Sequence, residues 1–270
     1  MDDSVLARGD SVPPGSVPSP GTPPDPHGPG PDGPEPSELR SGFRLAWRRS
    51  PWLVPGGLLL ILAVLTVNVL ADGPLVGADR RIRAAVEAQA TSGTWRWLSV
   101  GWHAPAQLIA DLGNYQEAVP ILAACALLVA ARHRTLRPLL AAAAAVVLLL
   151  ATVVPAKILI ARTGPGLATL GSGGLGVFPS GHTTTATVCY GGAVLLLLPD
   201  LPSRVRRAAV AAVAALCFGV GVALVWCDYH WFTDVLGGWA LAGLIAIAAM
   251  RLSQASAPAS LKAPWGRGRG

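Results

Sequence analysis

Long apolar segments, with charged residues gathered at their ends, are the feature that most restricts how this sequence can fold. The first segment, residues 52–70, is long enough to cross a hydrocarbon core of about 30 Å as a helix rising about 1.5 Å per residue. Only 13% of the residues are charged, whereas a soluble domain carries about 25%. We therefore predict an all-α, polytopic membrane protein built as a bundle of six transmembrane helices. The predicted spans are residues 52–70, 118–131, 138–160, 182–198, 208–226 and 235–250.

The sequence around these spans divides into parts of different composition. Residues 1–43 are acidic, rich in Pro and Gly, and poor in large apolar side chains, so they cannot bury enough surface to offset the entropy lost on ordering. We predict that they form a disordered cytoplasmic tail. Residues 44–251 form the predicted membrane domain, and residues 252–270 a basic cytoplasmic tail. Residues 71–117 are too charged to span, and we expect one or two interfacial helices there, on the extracytoplasmic side.

Four clusters of basic residues indicate the orientation of the chain. They precede the first span, separate the second from the third and the fourth from the fifth, and follow the sixth, so six spans place them all on one side. Because basic loops are retained in the cytoplasm, we predict a multi-pass protein of the cell (plasma) membrane with both termini cytoplasmic. The net charge of +6 is dispersed among loops, which argues against nucleic acid as a partner. We expect membrane lipids as partners and leave the oligomeric state open.

Three short polar segments lie at span ends on the predicted extracytoplasmic side, at residues 157–165, 177–182 and 230–234. In the last of them His230 and Asp234 are four residues apart, a spacing that places both on one face of a helix. A carboxylate bonded to one imidazole nitrogen fixes the tautomer and leaves the other nitrogen free to attack. Such pairs also occur on solvated helices, so the pair alone does not establish catalysis.

The other two segments contribute groups that suit a phosphate. Ser180 and Gly181 directly precede the fourth span, where the free N–H groups of a helix start bind anions. His182 is placed there to give a proton to a leaving oxygen. Lys157 and Arg162, at the end of the third span, would pair with an anion. Each feature also has a simpler explanation, an N-cap turn or side chains extending toward water, but together on one face they indicate phosphate chemistry.

Two motifs identify a family. PSGH at residues 179–182, followed by HWFTDVLGG at residues 230–238 and preceded by Lys157, resembles the type 2 phosphatidic acid phosphatase (PAP2) superfamily over about residues 118–250. The resemblance implies a six-span helical fold and a phosphohistidine intermediate formed without metal or other cofactor. It implies that His230 is the nucleophile, Asp234 its orienting acid and His182 the proton donor. The implied phosphate-binding residues are Lys157, Arg162, Ser180 and Gly181.

Two positions depart from the family pattern. Gly164 stands directly before Pro165, where the first motif has an Arg, and Leu224 stands six residues before His230, where the third motif has another. Arg162 lies where many members carry an additional Arg. Since a charge-assisted bond to a phosphate oxygen contributes about 1.5–3 kcal/mol, the two absent arginines leave open the activity and the charge of the substrate.

These observations predict an integral membrane lipid phosphate phosphatase. Its substrate would be a phosphomonoester or diphosphate of a polyprenyl lipid or glycerolipid, hydrolysed on the extracytoplasmic face. The residues leave four alternatives open. The same histidine chemistry could transfer the group to an alcohol, the chain could be a catalytically silent membrane protein, and Ser180 could be the nucleophile of an intramembrane protease. His182, His230 and Asp234 could instead bind a metal.

Overall fold

The computed structural model describes residues 52–91, 96–166 and 174–255. The predicted tail at residues 1–43 lies outside these ranges, as does the predicted tail at residues 252–270 apart from its first four residues, which continue the last helix. The described part is all-helical. Its α-helices are α1 (Leu53–Leu70), α2 (Pro74–Thr91), α3 (Arg96–Asp111), α4 (Tyr115–His133), α5 (Arg137–Ile160), α6 (Gly181–Leu197), α7 (Ser203–Trp226) and α8 (Phe232–Ala255), and a 3₁₀ turn at Leu198–Asp200 follows α6.

Five described helices are long and apolar enough to cross a membrane, namely α1, α4, α5, α7 and α8. The predicted fourth span corresponds to α6, which has 17 residues and would extend about 26 Å at about 1.5 Å per residue. That length is at the lower end of what a bilayer requires, so the architecture is compatible with six spans. Several helices are longer than the predicted apolar runs, because polar first turns such as Ser203–Arg207 of α7 are helical as well.

Helix α6 lies at the centre of the bundle, where it packs against α4, α5, α7 and α8. Apart from Tyr190, its buried side chains are small or medium-sized, among them Ala186, Cys189 and Ala193. Small residues allow helices to approach closely inside a membrane, where packing rather than exclusion of water drives association. By contrast, the peripheral α1 exposes large apolar side chains such as Leu59, Leu60 and Val67 along its length, as expected of a helix that faces lipid.

The segment predicted to form interfacial helices contains α2 and α3. Helix α2 carries too many charged residues to span, and it packs against α1, α3 and α8, while α3 packs against α7. Both helices therefore contact the end of the bundle where the three polar segments lie. This contact gives residues 71–117 a part in the site.

Candidate functional site

Three segments bring the predicted residues to the same end of the bundle. The end of α5 and the loop after it provide Lys157 and Arg162, the start of α6 provides Ser180, Gly181 and His182, and the turn from α7 to α8 provides His230 and Asp234. The segments are joined directly, since the backbone N–H of Ser180 donates to the carbonyl of Asp234 at 3.0 Å and that of Val177 donates to the carbonyl of Arg162 at 2.9 Å.

His230 and Asp234 form the paired imidazole and carboxylate that their spacing predicts. His230 Nδ1 lies 3.3 Å from Asp234 Oδ2, and the same oxygen accepts the backbone N–H of Trp231 at 3.0 Å. Both side chains are buried. His230 precedes α8 rather than lying on it, so the pair forms because a carboxylate in the first turn of α8 meets the turn before the helix. With Nδ1 held, Nε2 is the ring nitrogen left for chemistry.

His182 is held by a partner of a different kind. Its Nε2 lies 2.8 Å from Oδ1 of Asn114, the residue that precedes α4. The Asn114 amide nitrogen donates in turn to Asp111 Oδ1 at 3.5 Å, which leaves its oxygen as the acceptor and assigns the proton to His182 Nε2. Gly113 makes this approach possible, because a Cβ there would lie 2.8 Å from the Cβ of His182 and 2.9 Å from its carbonyl oxygen.

The two imidazole rings face each other across a short gap. Their centroids are 6.2 Å apart and their planes are inclined by 66°. The spacing therefore brings His182 and His230, which come from two different segments, into one pocket, where both rings are near enough to contact the same small group.

Lys157 lies beside the start of α6. Its ammonium donates to the carbonyl of Gly176 at 3.0 Å, and a Cβ built on Gly181 would lie 4.0 Å from Nζ. Ser180 is the N-cap of α6, since its Oγ accepts the backbone N–H of Thr183 at 3.2 Å and the Thr183 hydroxyl at 2.9 Å. The free N–H groups and dipole of a helix start attract anions, and the Lys157 ammonium adds a full positive charge next to them.

Arg162 is buried between two carboxylates. Its Nη1 donates to Thr233 Oγ1 at 2.8 Å and to Asp234 Oδ1, and its Nη2 donates to Asp79 Oδ2 at 2.7 Å. The guanidinium carbon also lies 5.5 Å from the centre of the Trp231 ring. Asp234 thus receives Arg162 on one oxygen and His230 on the other. The guanidinium, predicted from the sequence to bind phosphate, holds the carboxylate that orients His230.

The comparison with protein families agrees with the motifs. Residues 136–258 match the family model of the PAP2 superfamily. They belong to this superfamily. The chain also resembles a solved structure described as the crystal structure of the first transmembrane PAP2 type phosphatidylglycerolphosphate phosphatase from Bacillus subtilis. The identity is 23%, the TM-score is 0.62, and the match covers 75% of this chain and 97% of that one. At this identity the likeness shows a shared fold. A search of curated proteins found no match.

The two departures from the PAP2 pattern differ in their surroundings. Leu224 is fully buried in an apolar cluster that joins α3, α4, α5, α6 and α7. Its carbonyl accepts the backbone N–H groups of Tyr229 and His230 at 3.0 and 3.3 Å, so the residue shapes the turn that carries His230. Gly164 lies in the loop after α5 and is half-buried. The position of the missing third-motif Arg is thus used for packing.

Sequence reasoning missed two residues of the site, Asp79 on α2 and Asn114 before α4. Both lie in the segment that was expected only to form interfacial helices. Asp79 is next to Arg80 and Arg81, and such a run of charges usually indicates a solvated surface. Asn114 is a residue type that commonly caps a helix. The predicted site segments that Asp79 and Asn114 contact are between 68 and 154 residues away in the sequence, and no short motif connects them.

Proposed function

We propose that this protein is an integral membrane lipid phosphate phosphatase, which hydrolyses a phosphomonoester or diphosphate of a polyprenyl lipid or glycerolipid through a phosphohistidine at His230. The observation that carries the proposal is the pair of imidazoles with centroids 6.2 Å apart, one held by a carboxylate and the other by an amide. Membership of residues 136–258 in the PAP2 superfamily supports the same chemistry. The similar Bacillus subtilis protein, a phosphatidylglycerolphosphate phosphatase, supports a lipid as the substrate.

The reaction has two steps. In the first, Nε2 of His230 attacks the phosphorus, the bond to the leaving oxygen breaks, and Nδ1 of a protonated His182, whose Nε2–H donates to Asn114, gives that oxygen a proton. Asp234 stabilises the positive charge that forms on the His230 ring. In the second step His182 takes a proton from water, the resulting hydroxide attacks the phosphohistidine, and phosphate leaves as the His230 nitrogen is released.

The negative charge on the phosphoryl oxygens requires donors around it in both steps. Lys157, the Ser180 hydroxyl and the N–H of Gly181 supply them, as fixed groups that need little rearrangement during the reaction. Arg162 adds a positive charge behind Asp234. We place the site on the extracytoplasmic face of the plasma membrane, with both termini in the cytoplasm, because the basic clusters of the sequence lie at the other ends of the spans.

Two features favour this reaction over the protease and metal alternatives. The Ser180 hydroxyl oxygen accepts two hydrogen bonds from Thr183, the role of a helix cap rather than of an activated nucleophile. In the described part of the chain, no group of three or more His, Cys, Asp or Glu side chains is arranged to hold a metal ion. The proposed chemistry requires none, so we expect a chelator to leave the rate unchanged.

Phosphate release from a panel of lipid phosphates by the purified protein tests the proposal. We expect the unaltered protein to release phosphate from at least one lipid, His182→Ala to lower kcat by about a hundredfold to ten-thousandfold, and His230→Ala to abolish both turnover and the phosphoenzyme. His103→Ala is the matched control, because His103 is exposed on α3, and it should retain the full rate.

The same assay separates the alternatives. Phosphorylated glycerol, formed when glycerol is added as acceptor, would indicate a phosphotransferase. Activity that survives His230→Ala but not Ser180→Ala would indicate a serine nucleophile. Absence of phosphate release from every lipid in the panel would contradict the proposal and favour a catalytically silent member of the superfamily.

A further inference from the structure

Asp79 is a buried carboxylate on α2, a helix of the interfacial segment. It is 1% exposed, and burial of a charged group is costly unless the group is paired and hydrogen-bonded. Asp79 Oδ1 accepts the backbone N–H of Thr233 at 2.9 Å, and Oδ2 accepts the Thr233 hydroxyl at 2.5 Å and Arg162 Nη2 at 2.7 Å. These partners belong to two of the polar segments of the site, Arg162 to residues 157–165 and Thr233 to residues 230–234.

Arg162 connects Asp79 to the nucleophile. One end of its guanidinium donates to Asp79 and the other donates to Asp234, whose second oxygen holds His230. A planar guanidinium bonded at both ends is fixed in position, which a Lys ammonium could not reproduce. The order of contacts is therefore Asp79, Arg162, Asp234 and His230, and every side chain in it is buried.

The charges in this series matter as much as the geometry. Attack by His230 on phosphorus leaves a positive charge on its ring, and the Asp234 carboxylate stabilises that charge. If Asp234 alone balanced the Arg162 guanidinium, less of its negative charge would act on the ring. Asp79 supplies a second carboxylate for Arg162, so that two acids face one guanidinium and the excess negative charge lies toward His230.

We propose that Asp79 is a positioning residue for the nucleophile, acting through Arg162 and Asp234. This inference rests on the proposed function, in which His230 attacks phosphorus. It assigns α2, which lies outside the residues that match the superfamily, a direct part in setting the orientation and reactivity of His230.

Asp79→Asn tests the inference, because both oxygens of Asp79 accept hydrogen bonds and an amide would turn its NH₂ group toward a donor. Asp72→Asn is the matched control, since Asp72 forms a largely exposed ion pair with Arg80 at the start of the same helix. We expect Asp79→Asn to lower kcat by about 10- to 100-fold, by analogy with the loss of groups that orient metal ligands, with KM within about twofold. The control should match the unaltered protein.

A double-mutant cycle distinguishes positioning from a structural role. If Asp79 acts through Asp234, then Asp79→Asn should lower kcat by less than about twofold in protein that already carries Asp234→Asn. A contact that only fastens α2 to α8 would instead lower kcat by the same factor in both backgrounds. Equal factors would overturn the inference while leaving the phosphatase proposal intact.

A measurement without substrate covers the case in which no lipid on the panel is hydrolysed. The rate at which diethyl pyrocarbonate acylates His230, followed by mass spectrometry, reports the reactivity of the ring directly. We expect Asp79→Asn to slow this rate at least about threefold relative to Asp72→Asn, and equal rates would overturn the inference. If Asp79→Asn does not yield folded protein, Arg162→Lys removes the same bridge between Asp79 and Asp234. We expect this variant to slow the acylation of His230 as well, and an unchanged rate would overturn the inference.

Discussion

The two histidines of the site are held by partners that suit two different tasks. In the proposed reaction Asp234, which is ionic, stabilises the positive charge that nucleophilic attack leaves on His230. Asn114 is neutral and adds no charge, but its amide oxygen fixes the orientation of the His182 ring at 2.8 Å. In the proposed reaction His182 releases a proton in one step and accepts one in the next, and a partner that favours neither state strongly suits both steps.

Replacement of Asn114 tests the importance of that orientation. Asn114→Leu removes the acceptor of His182 Nε2 and leaves the ring free to turn, so we expect kcat to fall by about 10- to 100-fold, the equivalent of one hydrogen bond of about 1.5–3 kcal/mol. Gln116→Leu is the control, because Gln116 is exposed two residues further along α4. A full rate with Asn114→Leu, measured as phosphate release, would show that proton transfer does not depend on this contact.

The sequence predicted some residues of the site and missed others. Histidines and acids that lie in short motifs at span ends were predicted to come together, because a helix fixes the relative positions of residues three or four apart. The role of Arg162 depends on Asp79, and the orientation of His182 depends on Asn114. Those partners approach only through the packing of α2 and α4 against the bundle, which apolar patterning cannot specify residue by residue.

At the scale of helices, the crossing of α6 and α8 aligns the two histidine segments. Gly238 allows the close approach, since a Cβ there would lie 2.9 Å from the Cβ of Thr183 and 3.0 Å from the carbonyl oxygen of Ser180. The packing of these two helices therefore sets the distance between the start of α6 and the turn that carries His230. The sequence predicted both helices but not which residues would meet.

We expect Gly238→Ala to force the two helices apart. The expected cost is about 1–3 kcal/mol of stability, as for other overpacked sites, together with a loss of phosphatase activity. Gly191→Ala is the control, because a Cβ at Gly191 in α6 meets no atom within 4 Å and alanine gains about 0.5–1 kcal/mol over glycine in a helix. Thermal unfolding in detergent measures the stability of the two variants, and equal stability would contradict the prediction.

At the scale of the whole molecule, the apolar spans and their basic connections were read correctly as a helical membrane protein, since length and hydropathy are properties of whole segments. The central α6 is the predicted span whose composition least resembles that of a membrane-spanning helix. Its first turns carry Thr183, Thr184 and Thr185, all buried in the bundle. A helix surrounded by other helices does not need the apolar surface that lipid demands of α1.

The proposed orientation can be tested with single cysteines at the two ends of α4. Tyr115 and Leu136 are both well exposed, at 67% and 69%; Tyr115 is the first residue of this helix and Leu136 follows its last turn. If the site is extracytoplasmic, a membrane-impermeant thiol reagent applied to intact cells should label Tyr115→Cys, and Leu136→Cys only after lysis. The parent protein, whose own four cysteines are buried or half-buried, gives the background, and the reverse labelling pattern would place the site in the cytoplasm.

The contacts of Asp79 and Asn114 also bear on where this protein can be cut. A fragment beginning at residue 136 would retain every motif histidine, lysine and serine, yet it would lack the acceptor of His182 and one of the two acids that hold Arg162. The region that matches the superfamily is thus smaller than the set of residues that form the candidate site. For the proposed phosphatase, we expect a minimal active version to begin no later than α2.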